Sequence, residues 1–323
     1  MKVEYKVKRY NPESDDTAES WDIYVCELDQ AATVLDGLIK IREEVDDTLA
    51  LRCSCRSAIC GSCAMRINGQ ARLACNTKVS DFEKNGKITL LVEPPGNMPV
   101  IKDLVVDFVP FWSKVKAVDP WLKPNHPPKY MEEHIASNES MLHLSGVMGC
   151  IMCGACVSDC TVLEVDKSFL GPAALAKAYR FVSDPRDGSA KFRLGALEKP
   201  SGMWDCTRCM QCVEVCPKGV DPMGRIMKLR DFAIQDGYKK TYGAKHTAVF
   251  SDSVKHTGWL NEFQLPLRTF GIFNIIKLLG LLPILLDALA SRKVPPIFHQ
   301  KLPSASSIQR IFKKFDLQIT KRE

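Results

Sequence analysis

Asp205-Cys206-Thr207-Arg208-Cys209-Met210-Gln211-Cys212-Val213-Glu214-Val215-Cys216-Pro217 is the stretch on which the reading of this chain turns. Its four cysteines are separated by two, two and three residues, and a proline follows. Thiolate sulfur is a soft ligand suited to iron. A run with this spacing holds one iron–sulfur cluster with its first three sulfurs and sends the fourth to a second cluster. Such a run needs a partner. Cys150-Ile151-Met152-Cys153-Gly154-Ala155-Cys156-Val157-Ser158-Asp159-Cys160 supplies it at the same spacing, fifty-six residues earlier. The crossed rule then assigns Cys150, Cys153, Cys156 and Cys216 to one [4Fe–4S] cluster. Cys160, Cys206, Cys209 and Cys212 go to the other. Each cluster would pin the two runs together, so neither run works alone. Zinc is the competing reading of eight such thiols, and this spacing disfavours it.

Around the two runs the pattern is helical. Pro172–Val182 and Pro222–Asp236 are helix candidates with proline at the start, where a helix tolerates it. Leu104–Ala117 is predicted to be a helix, and Glu132–Val147 a broken one. Asp119–Pro128 carries Pro120, Pro124, Pro127 and Pro128 and is predicted to be a loop or extended linker. Asp184–Asp187 is a polar loop.

The N-terminal third differs. Val3–Tyr10 alternates apolar and polar residues as a strand does, and Trp21–Leu28 is a second strand after the polar turn Asn11–Asp16. Thr33–Val45 has helical spacing at Val34, Leu35, Leu38, Ile39 and Ile41. Ile88–Leu91 is a closing strand and Glu93–Asn97 a turn. Between helix and closing strand lie Cys55, Cys60 and Cys63, with Cys75 eleven residues beyond. C-x4-C-x2-C…C is the plant-type [2Fe–2S] spacing. The small residues Ser57, Ala58, Gly61 and Ser62 let the backbone curl so that amides face the sulfurs. Cys53 and Cys26 are predicted to be packed thiols outside the ligand set.

These elements define an α+β chain. A β-grasp plant-type [2Fe–2S] ferredoxin domain (1–105) precedes an α-helical two-cluster bacterial-ferredoxin-like domain (106–240) and a helical C-terminal extension (241–323). Fourteen cysteines, twelve of them in three tight groups, are not a disulfide framework in a chain of 323 residues. MKVEYKVKRY has no apolar core of a signal peptide, so reduced thiols in a cytoplasmic setting are expected. The net charge of +6 lies in Ser291–Glu323, with eight Lys/Arg against two acids; the body is neutral, which argues against nucleic-acid binding. The six histidines (126, 134, 143, 246, 256, 299) form no ligand pattern.

Further motifs accompany the cysteines: Tyr10-Asn11-Pro12, Leu35-Asp36-Gly37-Leu38-Ile39, Cys55-Arg56, Cys60-Gly61-Ser62-Cys63-Ala64-Met65, Asn68-Gly69, Val100-Ile101-Lys102-Asp103-Leu104 and Cys216-Pro217-Lys218-Gly219. In this order, over residues 1–240, the chain resembles the iron–sulfur subunit of succinate dehydrogenase/fumarate reductase, respiratory complex II. The resemblance implies an oxidoreductase subunit without catalytic residues of its own. It would pass single electrons between the FAD of a flavoprotein partner and a quinone pool, in the tricarboxylic acid cycle or in anaerobic respiration. Familiar members carry an aliphatic residue at the position of Cys209, hence a [3Fe–4S] third cluster. Cys209 here implies [4Fe–4S], with [3Fe–4S] the fallback. Familiar members also have a proline and a tryptophan pair after Cys160 and a histidine after Cys206. This chain has Thr161-Val162-Leu163-Glu164-Val165 and Thr207. That pattern is similar to the non-classical group that includes methylmenaquinol:fumarate reductases, where a cysteine-rich heterodisulfide-reductase-like subunit replaces the haem-bearing anchor. A thiol-driven fumarate reductase or heterodisulfide-reductase-like complex is the alternative assembly.

Phe270–Ala290 is apolar but interrupted by Asn274, Lys277, Pro283 and Asp287. Its charge-free core, Leu278–Leu286, is nine residues, against the roughly twenty a bilayer span needs. Docking on a partner subunit or at the membrane interface is expected, with Ile308–Phe315 as a basic amphipathic stretch. The protein is expected to be peripheral to the membrane, on the cytoplasmic side unless a partner carries it across to the periplasmic side.

Overall fold

A computed structural model describes residues 1–13, 19–125, 133–294, 296 and 300–320, with side chains to 314. The expected turn at Asn11–Asp16, the linker beyond Asn125, His126, His299 and Lys321–Glu323 lie partly or wholly outside these residues. The chain divides into two compact units, Met1–Ala233 and Ile234–Glu323.

The first unit opens on a mixed sheet. Strand β1 (Lys2–Arg9) pairs antiparallel with β2 (Ser20–Glu27). Two short strands, β3 (Ala64–Ile67) and β4 (Gln70–Leu73), form a hairpin across Asn68-Gly69. Strand β5 (Glu83–Lys84) turns into β6 (Lys87–Glu93), which runs parallel to β1 and antiparallel to β3. The order β2-β1-β6-β3-β4 places the first and last long strands side by side. Alternation does what it predicts: Val3, Tyr5 and Val7 are fully buried. Helix α1 (Val34–Glu44) buries Leu35, Leu38 and Ile41 against that face. It starts at a capping box, with the Thr33 hydroxyl accepting from Asp36 N and Asp36 accepting from Thr33 N. At Gly37 a Cβ would overlap the Tyr5 ring, so this helix can lie on the sheet only with glycine there.

One carboxylate ties the sheet's ends to the cysteine loop. Asp103 accepts from Arg9 Nε at 3.0 Å, Tyr10 N at 3.1 Å and Ala50 N at 2.8 Å. Two motifs far apart in sequence, around Tyr10 and around Asp103, thus meet just upstream of Cys53 and Cys55.

The helix expected over Leu104–Ala117 is shorter. Val105–Val106 (β8) pairs with Val100–Lys102 (β7), and α2 spans Val109–Lys116. Pro110 falls in the first turn, where its missing N–H is not needed, and sets the start. Asp107 accepts from Val109 N and closes the entry. The helix expected over Glu132–Val147 is α3, Asn138–Met148, capped by the Ser137 hydroxyl. Two very short helices, α4 (Ala155–Ser158) and α5 (Thr161–Val165), follow the first cysteine run. Helix α6 (Gly171–Val182) is buried along most of its length and packs on α2, α3, α4 and α7 (Ala190–Leu197). The second run carries α8 (Gln211–Glu214), and α9 (Pro222–Gln235) follows.

The second unit holds α10 (Tyr242–Thr257), α11 (Gln264–Phe270), α12 (Ile275–Leu279), α13 (Leu282–Ala290) and α14 (Ala305–Thr320). Among its described residues only Ala244, Thr269 and Ala305 are buried. No described helix is long and apolar enough to cross a membrane.

Candidate iron–sulfur centres

The loop from Cys55 to Cys63 is wound by left-handed residues: Arg56, Ala58 and Gly61 have φ of 53°, 55° and 76°. This winding turns amides inward. Ser57 N, Ile59 N and Cys60 N point at Cys55 Sγ at 3.4, 3.4 and 3.2 Å, and Ala58 N at Cys75 Sγ at 3.3 Å. Cys75 N reaches Cys63 Sγ at 3.5 Å. All four thiols of the expected set therefore converge, ringed by donors. Such a nest suits an anionic sulfur-bridged group. The Ser62 hydroxyl leads the interactions that pull the Cys60 thiol down to about 6, while burial pushes Cys63 up to about 12. Cys26 lies buried in β2, where burial raises its thiol, and Cys53 packs partly buried against the sheet's core.

The two later runs repeat one backbone device. Met152 and Gly154 have φ of 55° and 81°; their counterparts Arg208 and Met210 have 60° and 68°. Each pair leads into its short helix, α4 or α8. In this way the first three cysteines of each run curl about a common centre.

Cys150, Cys153, Cys156 and Cys216 line one pocket, walled by Phe111, Ala173, Ala176 and Val220. After burial, which raises both thiols, Cys153 is influenced by Cys150 and Cys216, and Cys156 by Cys153, Cys150, Cys212 and Cys216. Likewise Cys160, raised by burial, is influenced by Cys209 and Cys206. Burial pushes Cys212 to about 12, and Cys206, Cys160 and Cys209 act on it too. Cys216 thus lies with the first run, and Cys156 and Cys212 lie within electrostatic reach of each other. Burial also pushes the Cys209 thiol up. Hydrogen bonds from the Thr161 hydroxyl and from the Gln211 and Thr161 amides outweigh it, leaving this group below its ordinary value. The donor sets fit iron–sulfur clusters in all three places: four soft sulfurs each, amides around the first, and an apolar cavity at the second.

The three places are contiguous. A Cβ on Gly61 would stand 2.8 Å from Cys153 Cβ and 3.0 Å from its Cα. The first loop and the first run thus touch through a missing side chain. Asn97 holds the other side of that run, its amide donating to the carbonyls of Val157, Ser158 and Cys160 at 2.9, 3.0 and 3.0 Å. Asp159 accepts from Ala71 N at 2.7 Å and fastens the run to β4. Arg230, buried on α9, donates to the carbonyls of Met203, Trp204 and Cys206 at 2.7, 2.9 and 2.8 Å. Burial lowers its guanidinium to about 10. Asn97, Thr161 and Arg230 escaped the sequence reading. Asn97 sat in a stretch read only as a turn, and the other two carry no local signal.

Three grouped thiol sets in one folded unit define an electron-transfer iron–sulfur protein. The comparisons agree. Residues 4–113 match the family "2Fe-2S iron-sulfur cluster binding domain", and residues 146–220 match "4Fe-4S dicluster domain". The fumarate reductase iron–sulfur subunit of Mycobacterium tuberculosis is 39% identical, covering 74% of this chain and 96% of the relative. Iron–sulfur subunit 3 of the mitochondrial succinate dehydrogenase [ubiquinone] of Arabidopsis thaliana is 37% identical, over 71% and 74%. The fumarate reductase iron–sulfur subunit of Escherichia coli O6:H1 is 36% identical, over 72% and 95%. Among solved structures, the apo Sdh1 complex of Mycobacterium smegmatis contains a chain that aligns at a TM-score of 0.65 and 25% identity, over 73% of this chain and 97% of that one. The chain belongs to the family of succinate dehydrogenase/fumarate reductase iron–sulfur subunits, and is an oxidoreductase subunit that transfers electrons.

Proposed function

We propose that this chain relays single electrons between the FAD of a flavoprotein subunit and a quinone pool, by way of a membrane-associated subunit. Cys55, Cys60, Cys63 and Cys75 hold a [2Fe–2S] cluster in the 1–105 domain. Cys150, Cys153, Cys156 and Cys216 hold one [4Fe–4S] cluster in the 106–240 domain, and Cys160, Cys206, Cys209 and Cys212 hold the other. When bound, the clusters supply one-electron redox chemistry. The protein does the rest. It lines the first thiol set with amides, excludes water from the second with Phe111, Ala173 and Val220, and abuts the two through Gly61 and Cys153. The observation that carries this reading is the interleaving of Cys216 with the first run and of Cys160 with the second.

Cys209 is the decisive residue for the third centre, because its sulfur completes a four-thiol set. In Cys209→Ser the third cluster's EPR signal should turn [3Fe–4S]-like. A wild type that already shows that signal in strictly anaerobic preparations would remove Cys209 from the ligands. The partner is read as a cysteine-rich, heterodisulfide-reductase-like subunit, with the assembly peripheral to the membrane. Succinate-dependent reduction by the purified complex tests this: reduction of a quinone supports the reading, whereas reduction of a disulfide alone would transfer the chain to a thiol-driven fumarate reductase.

A further inference from the structure

The second unit presents an apolar surface that it does not cover itself. Helix α13 spans nine residues, Leu282–Ala290, about 14 Å at 1.5 Å per residue. Ile284 and Leu286 on it stand two positions apart, about 200° round the helix, and both are exposed. Leu289 is exposed as well, and none of the helix is buried. Phe273 and Ile276, just before and within α12, are 91% and 85% exposed. Lys277 does not shield them; its ammonium sits 3.8 Å from the centre of the Tyr242 ring.

A partner protein covers a stripe. Apart from Asp287, α13 carries exposed apolar side chains on opposite faces, wider than one stripe, which suits an apolar medium around it. At about 14 Å this one cannot span the roughly 30 Å hydrocarbon layer. The medium that fits is the interfacial zone of a bilayer, where short helices lie 5–10 Å deep with cationic side chains reaching out to the headgroups. Charge selects the kind of bilayer. From Gln264 to Phe315 eight Lys/Arg accompany one acid, Asp287. On α14, Ile311 is 64% exposed, and Arg310, Lys313 and Lys314 beside it are exposed too.

We infer that α12, α13 and α14 form an interfacial anchor for an anionic lipid surface, a second attachment independent of the electron-transfer centres. It does not rest on the cluster assignment.

The test uses the full, cluster-loaded chain and vesicles of phosphatidylcholine with or without one quarter phosphatidylglycerol. The chain should sediment with the phosphatidylglycerol vesicles and much less with the neutral ones, and raising the salt should release it. Lys313→Gln/Lys314→Gln should bind about thirty-fold more weakly, from about 1 kcal/mol per basic residue near a charged surface. Ile276→Glu/Leu286→Glu should bind neither vesicle while keeping the cluster EPR signals. On the wild type, hydrogen exchange across residues 272–290 should slow on vesicles alone, a readout that needs no variant. A chain that stays in the supernatant, or one that binds both vesicles equally at all salts, overturns the inference. So does protection of 272–290 by a protein subunit but not by lipid.

Discussion

Thr161 shows how one hydroxyl acts on a distant thiol. It follows Cys160 in sequence, yet it helps hold the Cys209 thiol, forty-eight positions on, below its ordinary value. Hydrogen bonds to cluster sulfurs stabilise the more negative, reduced state and raise the potential. Thr161→Val, nearly isosteric, should therefore lower the midpoint potential of the third cluster while leaving the other two in place, as read by potentiometric EPR. Arg193 is a structural counterpart. Its guanidinium meets the buried Asp187 at 2.8 Å and donates to the carbonyls of Asp119 and Trp121, each at 2.7 Å. Arg193→Met leaves that carboxylate buried and unpaired, so it should cost about 3–5 kcal/mol in urea unfolding of the loaded protein. The twelve grouped cysteines were legible because ligand spacing is a local pattern. Asn97, Thr161, Arg193 and Arg230 were not, because each acts on backbone or sulfur brought near only by the fold.

At the scale of elements, periodicity served the long segments and failed the short ones. β1, β2 and α1 lie within a residue or so of their predicted bounds, and α6 and α9 likewise, because burial on one face is written at regular intervals. The hairpin β3–β4 was overlooked; two four-residue strands beside a cysteine loop are too short for alternation to register. The predicted helix from Leu104 missed Pro110, which a helix tolerates in its first turn but not in its interior. Gly61 is the most demanding point between elements. Gly61→Ala adds a Cβ in left-handed backbone within 3.0 Å of Cys153. It should part the loop from the run, slowing reduction of the second centre by the first in rapid-mixing measurements. Where α6 ends, Asp184 is flanked by Arg186 and Arg180, with contacts of 2.7 and 2.6 Å. Burial opposes its ionisation, but the hydrogen bonds from Arg186 and then Arg180 outweigh it and hold its carboxyl below the usual range. A depressed carboxylate stabilises the fold in full above its unfolded value of about 3.9. That contribution fades as pH falls towards the folded value. The stability gap between wild type and Asp184→Asn should therefore be widest near neutrality and narrow below about pH 4.

For the whole molecule, the cysteine arrangement makes loading cooperative. Cys216→Ser removes a thiol from the second run in sequence but from the first set in space. Iron content should fall by more than one cluster's share, and protease resistance should drop around both runs rather than around residue 216 alone. A loss confined to four irons with unchanged proteolysis would contradict this. The three relatives leave about a quarter of this chain unmatched. The family models end at residue 220, so only exposure and charge bear on the role of the apolar and basic helices of the second unit.

Interleaving also sets a rule for biogenesis. A ribosome that has released residue 160 but not residue 206 exposes only three of the four thiols of the first set, and a single thiol of the other. No cubane can be sealed in a nascent chain at that stage. Metal delivery must follow translation of both runs, when the chain can close on them.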